Sequence, residues 1–187
     1  MKKKIILAIT GASGSLYAVQ FLKLMQQVEV EIHGIISDAG QLVLRHELGL
    51  TPDDLNSYVE QWHAKDNFAA PMSSGSSNFD AMLVLPCTMG TLGSIANGVV
   101  KNLVHRAADV MLKERKPLLL AVRETPFNRI HLENMLKVND AGALVCPPMP
   151  SFYHHPENLE EMAAFYAGRL ADLLGIEIKE MKRWQGI

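Results

Sequence analysis

Thr10-Gly11-Ala12-Ser13-Gly14-Ser15 pairs glycines, which let a backbone approach an anion, with two hydroxyl donors beside an incoming helix. The segment lacks the lysine of a GxxxxGK[ST] loop and fails the G-x-G-x-x-G dinucleotide pattern. A tight turn with an ordinary serine cap therefore stands beside a phosphate or cofactor contact as its reading. Pro86-Cys87-Thr88-Met89-Gly90-Thr91 is a second turn of small polar residues, whose Thr88, Gly90 and Thr91 can donate to a ligand. Cys87 has no evident basic partner and reads as a packing residue rather than a nucleophile. Arg123-Glu124 sets a permanent cation beside a titratable carboxylate, for chemistry or for a plain ion pair. Ser151–Pro156 adds the Tyr153 phenol and the tandem His154-His155; without an acidic or thiol ligand at fixed spacing, the histidines do not read as a metal site. Arg169 either pairs with Asp172 or Glu161 or grips a phosphate with two hydrogen bonds. Lys113 reads as a solvated cation at a helix end, and Trp184 as a packing anchor or an aromatic wall for a cationic intermediate.

These segments matter because of what positions them. Short β-rich runs alternate with helical patterns, which predicts an α/β domain built on an open parallel sheet with helices on both faces. Strands are expected near Lys4–Thr10, Glu29–Ser37, Ala81–Leu85, Pro117–Val122 and Ala143–Cys146. Helices are expected near Leu16–Val28, Ala39–Leu48, Leu92–Ala96, Lys101–Glu114, Ile130–Val138 and Leu159–Leu174. Thr51-Pro52-Asp53-Asp54 reads as a further helix start, with proline at the first position and acids in the first turn. The SSGSS stretch of Pro71–Asn78 reads as a surface loop, so 1–187 forms one domain. A tail over about 175–187 is expected to pack at the active site or on a neighbouring subunit. TGASGS, SDAG, PCTMGT, RETPFN and PPMPSFYHHP each follow an expected strand. That is where ligands bind in open parallel sheets.

Composition narrows the function classes. Net charge is −2 and hydrophobic residues make up 48% of 187, an ordinary globular balance with no basic surface advertising nucleic acid. The apolar run after Lys2-Lys3-Lys4 is too short for a signal peptide, and no stretch approaches the roughly 20 apolar residues that span a bilayer. Two cysteines without CxxC spacing suit a reduced, cytoplasmic protein.

ITGASG, PCTMGTLGSIANG, RAADVMLKERKPLLLAVRETPFNRIHLENM, PPMPSFYHHP and RWQG occur in order over nearly the whole chain. Together they resemble the UbiX-type flavin prenyltransferases. The resemblance implies a Rossmann-like, flavodoxin-like fold in a homododecamer, with FMN between subunits. It implies FMN contacts from Gly11, Ala12, Ser13 and Ser37, from Thr88, Met89, Gly90 and Thr91, and from Arg123. Tyr153, Arg169 and Lys113 would hold the phosphate of dimethylallyl monophosphate. Glu124, Ser13 and Glu47 are similar to the family's polar catalytic residues, and Trp184 to its aromatic wall.

The implied reaction joins a dimethylallyl group to N5 and C6 of reduced FMN without a metal, and the prenylated FMN passes to a UbiD-type decarboxylase in quinone synthesis. The adjacent Asp53-Asp54 is not a DDxxD-like magnesium cluster, which suits a monophosphate leaving group. Two other readings compete. An FMN-dependent decarboxylase of the phosphopantothenoylcysteine type would carry an Asn in a PASANT-like turn, which PCTMGT lacks. A non-catalytic FMN carrier would bind flavin without turnover. A nicotinamide dehydrogenase is disfavoured because Ser37, not an acid, ends the second expected strand.

Overall fold

The computed structural model describes residues 2–179, 181, 183 and 186. Its six strands are β1 (Lys3–Ile9), β2 (Val30–Ile36), β3 (Gln61–His63), β4 (Ala81–Cys87), β5 (Leu118–Val122) and β6 (Leu144–Val145). They pair in the order β3-β2-β1-β4-β5-β6, and every pairing is parallel. The order runs outward in both directions from β1 and β4, as in doubly wound sheets. Loops leaving those two strands diverge and open a crevice between them.

Successive residues of a strand face opposite sides of the sheet, and the core divides accordingly. Ile5, Leu7 and Ile9 of β1, with Leu83 of β4, pack on one face under α1 (Ser15–Met25) and α6 (Leu159–Leu173). Ile6, Ala8, Met82 and Val84 face the other side, under α4 (Leu103–Lys113) and part of α3 (Met89–Ala96). Two helices complete the set: α2 (Asp38–Leu48) follows β2, and α5 (Arg129–Asp140) leads into β6. Burial of both faces explains why β1 and β4 are nearly continuous apolar runs rather than alternating ones.

Two elements differ from the sequence expectation. Thr51 does start a helix, but Pro52–Tyr58 is a 3-10 helix; the Thr51 amide and hydroxyl both donate to Asp54, at 2.8 and 2.7 Å. The edge strand β3 was not anticipated, because three residues cannot display a period of two. It is recruited by tertiary contacts. The Trp62 ring lies over Gly34, where a Cβ would come within 2.3 Å of it, and His33 Nδ1 sits 3.0 Å from His63 Nε2.

Candidate functional site

The switch point is laced together by Thr10. Its hydroxyl donates to the Pro86 carbonyl at 2.7 Å and accepts from the Thr88 amide at 2.9 Å, joining the β1 and β4 exit loops. Two glycines let the neighbouring helix approach. A Cβ on Gly11 would stand 2.4 Å from the Ala39 Cβ, and one on Gly40 would stand 2.6 Å from the Ile9 carbonyl. Ser37 caps α2 by accepting from the Gly40 amide at 3.0 Å, and Thr88 caps α3 by accepting from the Thr91 amide at 3.1 Å. The α1, α2 and α3 N-termini therefore gather at the strand ends, where free amides and helix dipoles favour negative charge.

At α1 the anion is the protein's own. Gly14 is the N-cap, in the left-handed region at φ 113°, and has no side chain to offer. Glu47 of α2 fills the role instead. Its carboxylate accepts from the Gly14 amide at 3.0 Å and the Ser15 amide at 2.8 Å, and from the Ser13 hydroxyl. Partial burial pushes its acidity towards a higher pKa, but the Ser13 and backbone hydrogen bonds outweigh that and hold the carboxyl below its usual value. The serine cap weighed as one of two readings of TGASGS is not made: the capping group comes from the next helix, 33 residues on from Gly14.

Arg123 and Glu124 do not form the ion pair considered for them. Both are exposed, and Glu124 turns back to accept from the Thr125 amide at 3.0 Å. The Arg123 amide is fixed by the Cys87 carbonyl at 3.0 Å, which ties the β5 exit to the β4 exit. Half-burial raises the Tyr17 phenol, and the Arg123 guanidinium pulls it partly back. Tyr17 in turn meets Tyr166 edge-on, with ring centroids 5.1 Å apart.

Tyr166 also lines a cavity of about 400 Å³. Tyr153, Phe165, Arg169, Asp172 and Arg183 also line it. The structure thus brings Tyr153 and Arg169 into one cavity. Arg169 Nη1 lies 3.8 Å from Asp172, the pairing weighed for it, while Arg183 holds the same carboxylate with two bonds of 3.0 and 2.8 Å. Arg183 was missed; its only sequence signal was its place in RWQG.

Lys113 is not brought to this region within the chain. It ends α4, pairs with Glu114 and stands beside Gly75, near the strands' amino ends, where Lys116 donates to the Ser77 carbonyl. Gly11, Ala12, Ser13, Ser37, Arg123 and the Thr88–Thr91 turn cluster at the opposite, carboxyl edge. Trp184 lies outside the described residues. Cys87 is wholly buried and its thiol is pushed up to about 12 by that burial, which fits packing rather than nucleophilic chemistry. Among the described residues, no three His, Cys, Asp or Glu side chains gather to hold a metal, and no helix is long and apolar enough to cross a membrane.

Fold and site together define a doubly wound α/β protein whose switch point gathers helix N-termini suited to an anionic ligand. Residues 1–167 match the Flavoprotein family. The chain is 47% identical to the flavin prenyltransferase UbiX of Methanothermobacter thermautotrophicus, over 98% of this chain and 96% of that one. The crystal structure of AnUbiX (PadA1) in complex with FMN and dimethylallyl pyrophosphate superposes with a TM-score of 0.97 at 37% identity, covering 100% of both chains. A dodecameric FMN-dependent UbiX-like decarboxylase from Escherichia coli O157:H7 superposes at 0.94 with 38% identity, over 98% of this chain and 100% of that one. The chain belongs to the Flavoprotein family, among its UbiX-type flavin prenyltransferases.

Proposed function

We propose that this protein transfers the dimethylallyl group of dimethylallyl monophosphate to N5 and C6 of reduced FMN, releasing phosphate and yielding prenylated FMN for a UbiD-type decarboxylase. The observation that carries this reading is the full-length likeness to a protein in complex with FMN and dimethylallyl pyrophosphate.

The residues present suit a flavin at the switch point. A Cβ on Gly90 would have nothing nearer than the Thr88 hydroxyl at 3.9 Å, so this face of α3 is open to a flat ring. Gly11, Ala12, Ser13 and Ser37 would frame one side, and Thr88, Met89, Gly90, Thr91 and Arg123 the other. Bound reduced FMN supplies two nucleophilic ring positions.

The chain's own groups act on the allylic ester. Its phosphate gains charge as the C–O bond breaks, so cations fixed around it favour the transition state over the ground state. Arg169 and Tyr153 serve there, joined by Lys113 from a neighbouring subunit, because Lys113 stands at the far edge of its own. Glu124 takes the proton from the ring carbon that forms the second bond, assisted by the Ser13 hydroxyl and the departing phosphate. Glu47 orients that hydroxyl. Trp184 shelters the allylic carbon.

Assembly completes such a site. Ile130, Leu132 and Leu136 of α5 are exposed apolar residues of the kind an interface covers, and a cytoplasmic homododecamer accommodates them. The test is phosphate release from dimethylallyl monophosphate under anaerobic conditions, with and without reduced FMN. Release that depends on reduced FMN supports the transferase. Flavin retention with no release would indicate a carrier and reject it.

A further inference from the structure

Asp172 poses an electrostatic problem for the cavity beside it. Its side chain is only 16% exposed and lies 3.8 Å from Arg169, whose own side chain is 63% exposed and makes no closer ion pair among the described residues. A carboxylate so near would repel an incoming phosphate dianion and compete for the same guanidinium. Arg183 removes both effects. Its two bonds to the Asp172 oxygens are short and paired, against a single long contact from Arg169.

The segment that delivers Arg183 is built into the helix it crosses. Ile176 and Ile178 enter the core behind α6. Further on, Met181 lies directly over Gly168, where a Cβ would fall 1.8 Å from its sulfur. Glycine inside a helix costs about 1 kcal/mol relative to alanine, so this one has a use: it makes the notch through which the segment passes. About one turn of α6 thus presents a notch at Gly168, the Arg169 guanidinium and the anchoring Asp172, and Met181 and Arg183 fill the first and last.

We infer that Arg183 is a positioning residue, which neutralises Asp172 and so leaves the Arg169 guanidinium free to bind the phosphate of the allylic substrate. The inference rests on the reading that this cavity takes a phosphate ester, and it names what keeps that cavity receptive. Among the described residues of this chain, the charged groups lining the cavity are Arg169, Asp172 and Arg183, so the Arg183–Asp172 pair leaves Arg169 as the cation this chain offers there.

A charge-cancelling role and a plain anchoring role part company in a double-mutant cycle. The readout is the dissociation constant of inorganic phosphate for the FMN-loaded protein, by calorimetry, with flavin retention and thermal stability as controls. Arg183→Ala should weaken phosphate about tenfold, since it restores one unpaired carboxylate beside the anion. Asp172→Asn should bind phosphate at least as tightly as wild type, and Arg183→Ala with Asp172→Asn should return to the wild-type value. If Asp172→Asn is as weak as Arg183→Ala and the double variant is no better, Arg183 serves only to fasten the tail and the inference is overturned. Phosphate binding that Arg169→Ala leaves unchanged would overturn the cavity reading itself, whether or not the protein prenylates flavin.

Discussion

Glu47 offers the sharpest test of how the switch point is built, because one side chain replaces the cap that α1 lacks. Removing it by Glu47→Ala strands the Gly14 and Ser15 amides and frees the Ser13 hydroxyl. Loss of a helix cap costs typically about 1 kcal/mol, and loss of a negative charge from a helix N-terminus a further 0.3–1 kcal/mol. Solvent screens this largely exposed carboxylate, so the total should be about 1–2 kcal/mol. For a chain of this size that lowers the melting temperature by roughly 2–8 °C, measured at matched protein concentration so that assembly does not contribute. Glu47→Gln keeps acceptors but not charge and should fall between. The pH dependence follows from the sign of the shift. A carboxyl held below its usual value in the folded state stabilises above the ordinary carboxylate range, and that stabilisation fades as pH falls through its folded value. The gap between wild type and Glu47→Gln should therefore close with acidification. A Glu47→Ala protein that melts with wild type at neutral pH refutes the capping account.

Other outcomes follow from the same geometry. Gly90→Leu places a side chain in open space, so thermal stability should hold or rise while FMN retention after gel filtration falls at least tenfold. Glu124→Gln should slow prenylation by about 10²–10⁴-fold with FMN still bound; unchanged turnover removes its proton-transfer role. Burial and the neighbouring His33 lower the His63 pKa, so its neutral form stabilises above the ordinary histidine range and that contribution is lost as pH falls. His63→Gln should flatten the stability profile below about pH 6.5. A maleimide at pH 7.5 should label Cys146 long before the fully buried Cys87; equal rates would contradict the packing of β4.

Much of this is legible in the sequence, and the exceptions share a cause. The fully buried strands announce themselves: Ile5–Ile9 and Ala81–Leu85 are apolar runs bounded by turn residues, and the loops after them were singled out from glycine and hydroxyl content alone. Tyr153 and Arg169, which the resemblance groups, line one cavity. What stayed hidden depends on partners distant in sequence. β3 exists because Trp62 seats on Gly34 and His63 meets His33, and neither contact leaves a periodic mark. Glu47 is marked in the sequence only through the resemblance, as a polar catalytic residue, and its capping of α1 emerges only where the fold turns it towards Gly14. Lys113 is grouped with Tyr153 and Arg169 by motif, but α4 carries it to the amino edge of the sheet, where it pairs with Glu114 of its own chain. Gly168 and Arg183 explain each other only once the segment after α6 is seen to cross that helix.

The most direct test of the central claim is the mass of the flavin itself. Wild-type protein, reduced FMN and dimethylallyl monophosphate are incubated without oxygen, and the extracted flavin is examined by mass spectrometry. A flavin heavier by one five-carbon prenyl unit is expected, absent when the protein or the ester is omitted. Unmodified FMN after complete incubation would contradict the transferase.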